Sequence, residues 1–178
     1  MKPISKNKII IATGGTGGHI FPAYSLANFL IKNDYLVEIT TDKRGLKYLE
    51  KHKNIKLIIN NSTTIFKKNI INLLFSMFKI FFSYMRSLVI LYRSRPMVVF
   101  GMGGYASFPV CIAAKTLNIP FIIYENNIQI GKSNKYLLPF AFKIFVSYQD
   151  LDGIKKKYEH KKVVTGNIIR EEILNFKK

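Results

Sequence analysis

Short runs of β-branched and aromatic residues alternate along this chain with longer segments whose apolar positions recur at helical spacing. The runs at Lys8–Ala12, Leu36–Thr41, Lys56–Ile59, Met97–Phe100, Pro120–Tyr124, Lys143–Ser147 and Lys162–Thr165 read as strands. Between them, Ala23–Lys32 reads as a helix with Leu26, Ala27 and Leu30 facing inward, opened by Pro22. Shorter helical stretches follow at Leu46–Glu50 and at Phe108–Leu117, the latter with Ser107 placed to cap it and Pro109 in its first turn. This β-α-β-α-β rhythm predicts an α/β fold, a doubly wound and Rossmann-like parallel sheet, with ligands at the carboxyl ends of its strands.

One segment departs from the rhythm. Across Ile70–Arg93 the polar residues Asn72, Ser76, Lys79, Ser83, Arg86 and Arg93 stack in one narrow helical stripe. Nearly everything else there is apolar, including Phe75, Phe78, Phe81 and Phe82, and covers more of the helix than one sheet-facing side requires. Three readings compete for the surplus. A spanning helix has the length, but Lys79 and Arg86 would each cost roughly 2.5–3.5 kcal/mol near the bilayer centre. Deep burial between sheet and neighbours is the second. The third is an interfacial patch, with the aromatics at the lipid boundary and Lys67, Lys68, Arg86, Arg93 and Arg95 meeting acidic head groups.

The chemistry gathers where strands end in glycine. After Ile9–Ala12 comes Thr13-Gly14-Gly15-Thr16-Gly17-Gly18-His19, whose small residues let backbone N–H groups approach a phosphorylated ligand beside a helix N-terminus. A P-loop would continue Lys-Ser or Lys-Thr, and this one continues His19-Ile20. A dinucleotide fingerprint would need a small residue where Ile20 stands, although Asp42 could mimic its ribose-binding acid. A second glycine turn, Gly101-Met102-Gly103-Gly104-Tyr105-Ala106-Ser107, follows the fourth strand, and Glu125-Asn126-Asn127 follows the fifth. An acid and two amides at such an edge suit a hydroxyl-rich ligand or proton transfer.

Composition adds a direction. The formal charge of +18 points to anionic partners, yet the lysines are scattered except at Lys155–Lys157 and Lys161–Lys162. No nucleic-acid motif accompanies them, so nucleic acid is not an expected partner. Cys111 is the single cysteine; it reads as a small buried residue and excludes an intrachain disulfide. The apolar run after the N-terminal lysines is too short for a secretory leader, which predicts a cytoplasmic protein.

Taken together, Thr13–Pro22, Gly101–Tyr105, Glu125–Asn127 and Gly166-Asn167-Ile168-Ile169-Arg170 resemble the N-terminal half of the MurG-type glycosyltransferases, family 28, of peptidoglycan synthesis. The resemblance implies one half of a GT-B fold. It makes residues 1–165 the acceptor-side domain and 166–178 the start of an interdomain linker, with the donor-binding domain beyond the chain. The implied reaction transfers N-acetylglucosamine from UDP-N-acetylglucosamine to the C4 hydroxyl of lipid I, the undecaprenyl-diphosphate-linked muramoyl pentapeptide, giving lipid II. Neither metal nor cofactor is implied. His19 becomes a general base, with Glu125 its rival, and Thr16, Gly17, Gly18, Asn127 and Arg170 approach the donor. Gly103, Gly104 and Tyr105 shape the acceptor pocket. The implied location is the cytoplasmic face of the bacterial inner membrane, with Phe75, Phe78, Phe81, Phe82, Lys79 and Arg86 on an anionic surface. Ile168 stands where the family usually has proline. Without the second domain, or a separate chain supplying it, weak donor binding and little turnover are expected, leaving a module that binds lipid-linked diphosphate.

Overall fold

A computed structural model describes residues 7–50, 54–60, 62 and 70–169. Its strands are β1 (Lys8–Ala12), β2 (Leu36–Thr41), β3 (Lys56–Ile59), β4 (Val98–Gly101), β5 (Phe121–Glu125), β6 (Lys143–Val146) and β7 (Lys162–Val164). The helices are α1 (Gly17–Lys32), α2 (Lys43–Leu49), α3 (Ile70–Ser94), α4 (Ser107–Thr116) and α5 (Lys132–Leu137), with a 3₁₀ turn at Lys156–Lys161. All strands pair in parallel in the order β3-β2-β1-β4-β5-β6-β7. The order reverses between β1 and β4, so a crevice is expected outside their carboxyl ends. Both glycine loops leave from there.

The alternation along β1 divides the core. Ile9 and Ile11 face α1 and α2, packing with Ile20, Ala23, Ala27 and Ile39. Ile10 and Ala12 face the other layer with Val99, Val110, Ile123 and Leu137, where α3, α4 and α5 lie. Ile10 and Ile11 are fully buried, which contributes about 1.5–3 kcal/mol for each side chain. Cys111 is buried in the same layer, and burial pushes its thiol far above the usual range, so it packs as a small apolar residue.

Two helix starts differ from the sequence pattern. α1 begins at Gly17, ahead of Pro22, so His19 lies in its first turn. Proline lacks the N–H that would bond Gly18 four residues back, and the amide of Asn126 donates to that free Gly18 carbonyl instead (3.2 Å). Ser107 does not cap α4: Ala106 holds the cap position, and Ser107 lies inside the first turn with its hydroxyl donating to Gly104 O (2.9 Å). Pro109 does occupy that turn.

The polar stripe of α3 splits in two. Ser76, Ser83 and Ser87 are buried against the fold, whereas Lys79, Arg86 and Arg93 are exposed on one flank. Asn60, just past β3, donates through Nδ2 to Ser87 Oγ (2.7 Å) and Ser83 O, and accepts from Ser83 Oγ (3.0 Å). That network satisfies groups which would be costly to bury alone. It also turns the apolar side outward: Phe75, Phe78, Phe81 and Phe82 are each 55–67% exposed. Deep burial of the surplus is therefore ruled out for these four. Leu73–Ser94 is long and apolar enough to cross a membrane, but its seryl face is docked on the sheet layer. Arg95 corrects the expected basic rim: it is 5% exposed and lies 5.0 Å over the Tyr92 ring, away from any head group. Lys67 and Lys68 lie outside the described residues.

Replacing Asn60 by leucine strands the Ser83 hydroxyl in the core and leaves Ser87 Oγ only its own bond to Ser83 O. We expect a loss of about 1–3 kcal/mol, measured by urea unfolding at neutral pH.

Candidate active site

The loop between β1 and α1 is held from beneath by Asp42 at the end of β2. Its Oδ1 accepts from the Gly45 amide (2.8 Å), capping α2, and from the Gly15 amide (3.2 Å). Its Oδ2 accepts from Arg44 Nη2 (2.8 Å) and Nε (3.0 Å). Burial by itself would raise this carboxyl, but the Gly45 amide, the Arg44 guanidinium and the Gly15 amide hold it below the usual range. A ribose-binding acid would need a free oxygen facing ligand, and Asp42 has both engaged in its own loop. Arg44 carries no sequence signal beyond its place two residues after that acid.

Thr13 Oγ1 donates to His19 O (3.1 Å), and the His19 and Ile20 amides turn back to Thr16 O. Gly17 and Gly18 therefore stand in the first turn of α1, where N–H groups have no partner within the helix. The loop after β4 closes over this turn. Gly103 and Gly104 have φ of 86° and 75°, which favours glycine. A Cβ on Gly103 would stand 2.8 Å from the His19 ring, and one on Gly104 would stand 2.7 Å from Gly14 O. A Cβ on Gly14 would in turn meet Ala106 Cβ at 2.5 Å.

His19 is thus half-buried between two backbones. Burial pushes its imidazole below the ordinary 6.5, against the opposing pull of Glu125 and of the Met102 carbonyl, which accepts from the ring. The neutral ring has one donor nitrogen engaged there and one acceptor nitrogen. The N-terminus of α1 adds a positive potential that also disfavours imidazolium.

Glu125, at the end of β5, is 2% exposed. Its Oε1 accepts from the backbone and side-chain amides of Asn127 (3.1 and 2.7 Å), and its Oε2 from Gly131 N (2.8 Å) and Asn134 Nδ2 (3.0 Å). The carboxylate organises the β5–α5 loop and leaves no oxygen directed at a substrate proton. Together with His19, Gly103, Gly104, Tyr105, Lys132 and Ser133, these residues line one cavity of about 350 Å³. Lys132, Ser133 and Asn134 carry no sequence signal beyond following a glycine, and their part in the wall depends on Glu125 folding that loop inward. Thr16 is exposed beside α1, and Arg170 lies outside the described residues.

A parallel sheet carrying glycine loops at its switch point, with a neutral imidazole between them, is the form of one lobe of a GT-B glycosyltransferase. The chain aligns with the crystal structure of Acinetobacter baumannii MurG at a TM-score of 0.73 and 26% identity, covering 90% of this chain and 46% of that one. A Rickettsia africae glycosyltransferase shares the fold at a TM-score of 0.65 and 20% identity, covering 90% and 43%. Residues 9–146 match the glycosyltransferase family 28 N-terminal domain, and the chain belongs to that family. The Rickettsia felis enzyme named UDP-N-acetylglucosamine–N-acetylmuramyl-(pentapeptide) pyrophosphoryl-undecaprenol N-acetylglucosamine transferase is 39% identical over 168 residues, 94% of this chain and 45% of that one. Its Rickettsia typhi counterpart is 37% identical over 93% and 42%. The chain spans about half the length of these relatives.

Gly104→Ala strains a positive-φ position and drives a methyl into Gly14 O. We expect about 1–3 kcal/mol of destabilisation and loss of chemical-shift dispersion confined to the two loops. The lowered pKa of His19 gives a second prediction. Because the unfolded chain binds that proton more tightly, the stabilising contribution is complete above pH 6.5 and declines as pH falls through that value toward the folded pKa. His19→Asn should lack this part of the pH dependence, read as the wild-type-minus-variant difference in urea midpoints between about pH 7.5 and pH 5.5.

Proposed function

We propose that this chain is the acceptor-side half of an inverting hexosyltransferase of peptidoglycan synthesis. The transfer runs from UDP-N-acetylglucosamine to the C4 hydroxyl of lipid I and yields lipid II. The observation that carries the reading is the neutral His19, held by two glycine loops at the edge of a cavity that also contains Tyr105 and Asn127. In the step, the C4 oxygen bonds to the anomeric carbon from the face opposite UDP. The bond to the UDP diphosphate breaks, and the hydroxyl proton passes to the acceptor nitrogen of His19. Amides of the glycine loops hold the diphosphate of the lipid acceptor. Thr16, Gly17, Gly18 and Asn127 face the donor, which a second domain holds from across the cleft. The full length of the named relatives supports that second domain.

The same reading puts the chain peripherally on the cytoplasmic face of the inner membrane. Phe75, Phe78 and Phe82 with Lys79 and Arg86 on their flank would meet anionic lipid, each cation contributing about 1 kcal/mol near the surface. A binding module that holds lipid-linked diphosphate without transfer is the second reading, for which the glycine-loop amides at the start of α1 suffice by themselves.

Turnover of UDP-N-acetylglucosamine with a lipid I analogue, with and without a separately supplied C-terminal domain, separates the two. Activity from the pair and none from the chain alone supports the half-enzyme; none from either leaves the binding module. In the active pair, His19→Ala should lower kcat by about 10²–10⁴-fold, and retention of nearly full turnover would overturn His19 as base. Sedimentation with anionic vesicles at low salt should carry the wild type down, and Phe78→Ser with Phe82→Ser should leave it in the supernatant.

A further inference from the structure

Beside the site, α3 and α4 enclose a groove of about 430 Å³ lined by Leu73, Met77, Ile80, Phe81, Phe108 and Ile112. The volume is in the range of small-molecule pockets. Tyr84, also on its wall, brings the one side-chain hydroxyl, and that hydroxyl is bonded to Thr116 Oγ1 at 3.0 Å, tying the two helices together below the groove. Both helices descend from the carboxyl edge of the sheet, so Leu73 and Phe108 stand at the end nearer the glycine loops. Only Ala106 and Ser107 separate Tyr105, on the wall of the site cavity, from Phe108, on the wall of the groove. Phe81 belongs to the groove and is also 55% exposed beside Phe78 and Phe82.

We propose that this groove receives the first isoprene units of the acceptor's lipid chain as they leave the diphosphate. The inference rests on the acceptor reading above and adds a specific place for the hydrocarbon. In such an acceptor the diphosphate is bonded directly to the isoprenoid. With the diphosphate on the amides of the two glycine loops, the next atoms along the molecule are apolar and emerge beside Ser107 and Phe108. The groove starts there, carries no charged side chain among the described residues, and passes through Phe81 onto the outer aromatic face. A prenyl chain in it loses its water contact continuously from site to surface, which is the favourable term for an uncharged, branched hydrocarbon. A phospholipid would instead have to bring its own head group to an entrance already occupied by the diphosphate.

The test is binding of inorganic pyrophosphate and farnesyl diphosphate to the full chain by calorimetry. Farnesyl diphosphate should bind about tenfold tighter or more, and Ile112→Trp, which fills the groove, should remove that gain while leaving pyrophosphate affinity unchanged. Phe29→Ser, an exposed phenylalanine on α1 in the opposite layer, should keep it. Equal affinities, a gain that survives Ile112→Trp, or a gain lost in Phe29→Ser would overturn the proposal. The chain contains no tryptophan, so Met77→Trp at the exposed rim reports occupancy without relying on the filled variant. Its emission should shift to the blue with farnesyl diphosphate and not with pyrophosphate. The same shift from dihexanoyl phosphatidylglycerol at equal concentration would overturn the isoprenoid assignment. If farnesol shifts the emission while pyrophosphate fails to bind, the groove stands and the diphosphate cradle of the acceptor reading falls.

Discussion

The closure of two backbone loops on one imidazole is the constraint from which the rest of the site follows. At Gly14, Gly103 and Gly104 a single added carbon would fall within 2.5–2.8 Å of Ala106, His19 or Gly14 O. That approach removes water from around His19 and lowers its pKa, while the helix start beneath it supplies the amides suited to an anion. The half-buried imidazole and the amides suited to an anion therefore share one piece of backbone, built at the point where the strand order reverses.

The acids around the site are supports. Asp42 ties the first loop to the cap of α2, and Glu125 gathers four donors to shape the loop after β5. Tyr124 extends the same principle toward the end of the described chain: its hydroxyl lies 2.8 Å from Ser147 Oγ and accepts from Ile168 N at 3.0 Å. The stretch bearing Gly166 and Asn167 is thereby fastened to β5, the strand that presents Glu125. With both acids engaged as supports, His19 keeps one acceptor nitrogen at the edge of the cavity.

On the other layer, the Asn60–Ser83–Ser87 network decides what α3 offers to its surroundings. A helix with serines on one side and phenylalanines on the other would ordinarily bury the aromatics. Here the hydroxyls of Ser83 and Ser87 fit a polar notch made by Asn60 at the end of β3, and the hydrocarbon faces outward beside Lys79 and Arg86. The apolar groove against α4 adjoins that face at Phe81 and reaches Phe108, three residues from Tyr105 on the wall of the site cavity.

Much of this was legible in the residues themselves. Runs such as Lys8–Ala12 and Lys56–Ile59 specify strands because parallel strands buried on both faces are apolar throughout, and glycines in succession specify close approach because other residues carry a Cβ. The family motifs added the likeness that the comparisons bear out. Local pattern could not place the start of α1, since glycine and proline disfavour a helix that Asn126, 108 positions away, completes through Gly18 O. Nor could it tell that Glu125 and Asp42 have their oxygens engaged, that Arg95 is buried, or which side of α3 is the inner one. Those outcomes depend on partners distant in the chain, and only the tertiary structure brings them into contact.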